Sequence, residues 1–210
     1  GVTGSIIPEI VDDGQVPFWE VAPEHVRFTF EDYAISESTW VELNIYPARE
    51  YELLTQASLD CLRQLLDERP ETPLPAAGPV INAADVFAAQ SHYVDFQGGS
   101  GVRYLLHLAQ APNMVTDRSV MYIFSGLTDD GSTFVQAIFP LDSSLLPPYD
   151  IAFRDDFNYD AFLNVFEAYI AATAEILDAA PSSAFTPDLS RLDALIASLS
   201  VSAEASGTAD

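Results

Sequence analysis

Few residues in this chain stand at spacings that could do chemistry. Asp156, Asn158, Asp160 and Glu167 fall at positions 1, 3, 5 and 12 of an EF-hand-like loop, oxygen donors placed for calcium. The glycine such a loop needs at position 6 is replaced by Ala161. Phe162, Val165, Phe166, Tyr169 and Ile170 already follow helical spacing, so a coordinating loop and a helix compete for one segment. Acids in a helix's first turn complement its dipole and cap its free N–H groups without a metal. Capping is therefore the expected role, and no cofactor is expected.

Other constellations reduce to structure in the same way. Gly99-Ser100-Gly101 lacks the spacing of a nucleophile elbow and joins two strands, so a hairpin turn at Gly98–Gly101 is expected. His25, His92 and His107 are too scattered for a metal motif. Arg103 and His107 share one strand face across Leu105, which reads as satisfied polar groups. In Asp129-Asp130-Gly131 the last two residues carry turn chemistry and Asp129 stays wet. Cys61 falls on a helical stripe with Leu54 and Leu65 and is expected to be buried and inert. Trp40, at a strand start, is expected in the core. Phe18 and Trp19, in a Pro-flanked segment, are the candidate contact with a protein partner. Paired carboxylates for hydrolysis depend on folded separation, and among 32 acids chance pairs abound.

These groups must be positioned by elements that the pattern specifies better. A length of 210 residues with 49% hydrophobic content predicts one α+β domain over 21–200, an extended arm over 1–20 and a flexible acidic tail over 201–210. Val26–Tyr33 and Thr39–Tyr46 read as paired strands. Ala48–Arg69 has helical periodicity up to Pro70, and the Pro-rich stretch to Ile81 is a connecting loop and candidate hinge. Ser91–Gln97, Val102–Gln110, Ser119–Gly126 and Ser132–Pro140 form an antiparallel meander, turned at Gly98–Gly101 and at Asp129-Asp130-Gly131. Apolar residues on both faces of the meander require cover on both sides. Helices from Ala48, from Tyr159 to Ala180 and from Pro187 to Leu199 are the expected cover.

Charge narrows the partners. Eight basic residues, all Arg, stand against 32 acids, a formal net charge of −24. Phosphate backbones need a basic patch that this chain cannot assemble, so nucleic acid is excluded and anionic membrane surfaces are disfavoured. No apolar run reaches the length of about 18 residues needed for a membrane-spanning helix. One Cys excludes an intrachain disulfide and a cysteine metal cluster. A lysine-free acidic surface suits high ionic strength or an extracytoplasmic setting. A start at Gly1 without Met or leader fits a processed mature chain or an excerpt.

The strings Asp95–Leu105 (DFQGGSGVRYL), Gly126–Gly131 (GLTDDG), Ile138–Leu141 (IFPL) and Phe185–Leu189 (FTPDL) resemble an uncharacterised family of exported, often lipid-anchored bacterial proteins, over roughly Val21 to Val201. The resemblance implies an extracytoplasmic location, secreted or associated with the cell envelope, and leaves open a lipid anchor outside this sequence. Where relatives would carry an aromatic pair after the Asp-Asp-Gly turn and a Gln before Gly126, this chain has Ser132-Thr133-Phe134 and Ser125. The element order is also similar to the three-layer α/β/α sandwich of the PsbP-like photosystem accessory proteins and of a small nuclear-import factor, with a central antiparallel sheet of about six strands. Members of that fold mostly bind or assemble and rarely catalyse. The expectation is a non-catalytic binding or assembly module, an accessory subunit of an envelope or membrane-associated complex. The alternative is a carboxylate-based extracytoplasmic hydrolase whose acids gather only in the fold.

Overall fold

The computed structural model describes residues 1–33, 35, 40–153 and 157–201. The fold is α+β, built on one predominantly antiparallel sheet with strand order β1-β2-β3-β7-β6-β5-β4. The strands are β1 (Val2–Ile7), β2 (His25–Phe30), β3 (Glu42–Pro47), β4 (Ala84–Phe96), β5 (Gly99–Ala109), β6 (Val120–Thr128) and β7 (Thr133–Ser143). A two-residue strand β8 (Phe185–Thr186) pairs with the end of β7, making eight strands among the described residues.

The count of about six is thereby corrected. β1 comes from the segment expected as an arm and pairs antiparallel with β2 along its whole length. Its sequence, VTGSII, alternates only weakly, with Gly4 at the centre and no aromatic residue, and all of it except Ile7 is exposed, so period-2 patterning gave little signal. β8 is too short to carry a period at all. The turn between β4 and β5 is Gln97-Gly98, with Gly98 at a φ of 88°, while Gly99–Gly101 lie inside β5 rather than in a turn. The reason is close approach: a side chain at Gly101 would strike the Phe124 ring and the Ser125 carbonyl on β6.

Two periodic segments split. Ala48–Arg69 divides into α1 (Ala48–Thr55) and α2 (Asp60–Glu68). The Thr55 hydroxyl donates to the Tyr51 carbonyl at 2.7 Å, and Gln56 adopts the left-handed conformation at a φ of 57°. Glu52 then clamps the two helices, accepting from Leu59 N at 2.8 Å and from both Arg63 Nη atoms at 2.8 and 2.7 Å. Tyr159–Ala180 divides likewise into α3 (Tyr159–Leu163) and α4 (Phe166–Asp178). In that stretch Phe162, Thr173 and Leu177 are buried, whereas Val165, expected on the apolar stripe, is exposed, as is Ile176. The last helix, α5 (Leu189–Ala197), is capped by Asp188, whose carboxylate accepts from Ser190 N at 2.9 Å.

Apolar side chains fill the space against both sides of the meander. On one side Leu105, Tyr122, Phe124, Ala137 and Phe139 pack with Leu177 of α4 and Leu189, Leu192 and Ile196 of α5. On the other, Val102, Tyr104, Leu106, Ile123 and Ile138 pack with Leu65 and Leu66 of α2, and Phe134 packs with Tyr51 of α1 and Leu62 of α2. The Pro-rich loop is fastened over this second side, where the Ala77 carbonyl accepts from Ser125 Oγ at 2.8 Å and Gln136 Nε2 at 3.3 Å.

Candidate functional site

Cover on that second side stops short of the outer strands. Strand register places Ile7, His25, Arg27, Glu42, Asn44, Tyr46, Gln136 and Ile138 on one face of β1, β2, β3 and β7. Seven of them line a cleft of about 460 Å³, walled by Trp19, Trp40, Tyr51, Thr55, Pro79 and Val80. The volume lies within the range typical of ligand pockets, roughly 300–1,000 Å³.

The polar floor is a closed cross-strand set. Arg27 Nε donates to Asn44 Oδ1 at 2.9 Å and lies 3.2 Å from Glu42 Oε2, while Asn44 Nδ2 donates to Glu42 Oε1 at 2.9 Å. The guanidinium and carboxylate compensate each other, so the floor is charge-balanced and oriented. Beside it the buried His25 has Nδ1 2.7 Å from the Pro23 carbonyl. A carbonyl only accepts, so Nδ1 carries the proton and Nε2 faces Arg27 Nη2, 3.5 Å away, as an acceptor. Burial, with Arg27 adding to it, holds His25 below its ordinary pKa. The His25 ring packs on Tyr46 at 4.5 Å, and Tyr46 on Tyr51 at 4.8 Å. Burial raises the Tyr51 hydroxyl to about 12 and raises Tyr46 as well, so both phenols stay neutral at ordinary pH.

Of the residues singled out from the sequence, His25, Trp19 and Trp40 line the cleft and the others land elsewhere. Asp156 lies outside the described residues. Asn158 caps α3, accepting from Ala161 N at 3.0 Å, and Asp160 sits in that helix's first turn; Glu167 is in the first turn of α4. Among the described residues no group of three or more His, Cys, Asp or Glu is arranged to hold a metal. Cys61 is exposed, a correction that follows from the break before α2, which rotates that position outward while Leu62 takes the buried face. Trp40 is a half-buried cleft wall rather than core. Trp19 lines the cleft as well and touches Phe18 edge-on at 5.0 Å; the two are 42% and 54% exposed.

Arg103 and His107 are both buried and each is satisfied by other groups, not by the other. His107 lies 2.9 Å from the Ser119 carbonyl and 2.8 Å from Asn113 Oδ1. Arg103 grips Asp193 of α5 through Nε and Nη2, both at 3.1 Å, and donates from Nη1 to the Gln90 carbonyl at 2.7 Å. Tyr122 adds a hydroxyl donor to Asp193 at 2.9 Å. Gln90 sits in a bulge of β4 at a φ of 52°, which turns its carboxamide toward the Leu177 and Ala180 carbonyls at the end of α4, at 2.7 and 2.8 Å. This network fastens α4 and α5 to the sheet.

No protein-family model matches the chain, and neither a curated protein nor a solved structure does.

Proposed function

We propose that the chain is a non-catalytic, extracytoplasmic binding and assembly module, an accessory subunit that meets its protein partner at the N-terminal side of the sheet. Its layering is proposed as the PsbP-like α/β/α sandwich, supported by α1 and α2 packing against one side of the meander and α4 and α5 against the other. The observation that carries the functional reading is the exposed Phe18–Trp19 pair, whose Trp19 lines the same cleft as Ile7 at the end of edge strand β1, the strand that also leaves Val2 and Ile6 60% and 70% exposed on its other face. Exposed aromatics next to an unpaired, uncharged strand edge are costly to leave in water and suit a partner. Residues 1–24 add five acids, Glu9, Asp12, Asp13, Glu20 and Glu24, and no Arg, so the complementary partner surface is basic.

A carboxylate-based hydrolase needs two converging acids with different protonation. Of the two acids lining the cleft, Glu20 and Glu42, the second is committed to Arg27 and Asn44. The test of the assembly reading is Phe18→Ala with Trp19→Ala, which touches no core residue. The native mass of the complex recovered from the envelope fraction should fall toward that of the free chain. An assembly of unchanged mass refutes the reading.

A further inference from the structure

We infer that the cleft over β1–β3 and β7 is a binding site for a neutral, polyhydroxylated small molecule with one apolar face, the chemistry of a short saccharide. The inference goes beyond the partner surface and shares one residue with it: Trp19 lines the cleft, whereas Phe18 does not.

The walls and floor make different demands, and few ligands meet both. Trp19, Trp40, Tyr46 and Tyr51 supply flat apolar surface, which favours a ligand with a non-polar face. The floor offers hydrogen bonds of both kinds. A guanidinium has five N–H donors. Asn44, Glu42 and His25 engage Nε and Nη2 of Arg27 and the Tyr46 hydroxyl also meets the guanidinium, so part of its five-donor set remains for a ligand on a side chain that is 32% exposed. Each Glu42 oxygen takes one bond within the triad and keeps further lone-pair capacity. A hydroxyl both donates and accepts, so adjacent hydroxyls match an Arg–Glu floor without disturbing it.

Other ligand classes fit less well. A cation competes with Arg27 for Glu42, and an anion meets Glu42 within a chain of net charge −24. A wholly apolar ligand strips water from Arg27 and Glu42 while returning no hydrogen bond, which is unfavourable.

The probes are cellobiose, maltose and N,N′-diacetylchitobiose, read by saturation-transfer NMR and titration calorimetry on the full chain. At least one disaccharide should bind at millimolar concentration or tighter, and Trp19→Ala should weaken it about tenfold, the effect of losing an aromatic contact. Arg27→Gln, which keeps amide donors but breaks the ion pair, should weaken it at least as much. A circular-dichroism melt of each variant separates loss of the site from loss of the fold. Phe18→Ala, which removes no cleft-lining side chain, should weaken saccharide binding less than Trp19→Ala while still disrupting assembly, so failure here and failure of the assembly reading are distinguishable. Binding of none of the three probes overturns the inference, as does binding that folded Trp19→Ala and Arg27→Gln proteins retain, or acetate or methylguanidinium binding more tightly than every sugar.

Discussion

Removing the carboxylate of Asp193 tests how the second helical group is held to the sheet. Arg103 is 3% exposed and makes a two-pronged contact with Asp193, whose own side chain is 29% exposed. Breaking a buried ion pair by deleting one partner costs about 3–5 kcal/mol, because a charge is left buried without compensation. Water reaches the outer side of Asp193, so the lower end applies and Asp193→Ala should cost about 3 kcal/mol. For a domain of this length that lowers Tm by about 6–12 °C. Tyr122→Phe removes only the hydroxyl donor to the same carboxylate and should cost about 1–2 kcal/mol. Arg103→Met with Asp193→Leu removes both charges together and should recover most of the loss, since apolar groups of similar volume replace buried ion pairs well. Urea melts followed by tryptophan fluorescence and circular dichroism give the three values. An Asp193→Ala loss below about 1 kcal/mol, with an unchanged denaturant slope, refutes the reasoning, because it would mean that the guanidinium finds water where it stands.

Further outcomes follow from single positions. Gly101→Ala places a methyl group against Phe124 and the Ser125 carbonyl and should cost about 1–3 kcal/mol in thermal or urea melts, with no loss at Gly14→Ala beyond the strain of its positive φ. Asp130 accepts from Ser132 N, Thr128 Oγ1 and Ser132 Oγ, which holds its carboxyl down at about 2. A depressed folded pKa gives stability that is present above the unfolded value and lost as pH falls through the folded one, so Asp130→Ala should flatten acid destabilisation between about pH 4 and pH 2. His25 and His92 are both held below the ordinary imidazole range, chiefly by burial, with Arg27 and Arg103 respectively adding to it. Their contribution to stability is therefore present above about pH 6.5 and declines as pH drops below it, and the imidazole NMR signals of both should titrate below that value. Cys61, being exposed, should react with Ellman's reagent in the native protein nearly as fast as in urea.

What the sequence discloses depends on whether a feature is local. The meander was readable because two of its three connections are turns with their own chemistry, at Asp129–Gly131 and at Gly98, where the turn proved one residue pair long and earlier than expected, and because β5, β6 and β7 are apolar on both faces. Helix periodicity survived the breaks at Gln56 and Asn164, since three- and four-residue steps continue across an interruption that only a backbone dihedral reveals. The cleft was not readable in this way. Its residues come from four strands, a helix and three loops, and they meet only through the register that sets Arg27 against Asn44 and Asn44 against Gln136.

One local signal did point toward it. Arg27 and Thr29 alternate with Phe28 and Phe30 on β2, and Glu42 and Asn44 alternate with Leu43 and Ile45 on β3. That is the polar alternation of a sheet with one wet face, and it is missing from the central meander strands beside them in the sheet. The same chain thus writes two patterns into one sheet. Where both faces are apolar, helices cover both; where one face turns polar on adjacent strands, cover ends and a cleft begins. Arg27, on the wet face, is charge-balanced by a neighbouring strand rather than by solvent, whereas Arg103, on a covered face, must wait for Asp193, which stands 90 residues further along. A buried charge whose partner is that distant in sequence is satisfied only once α5 has docked, so the docking of α5 is tied to the condition of β5. The edge of the sheet where, among the described residues, helical cover gives way to a cleft is, for the same reason, the edge suited to serve a ligand or a partner.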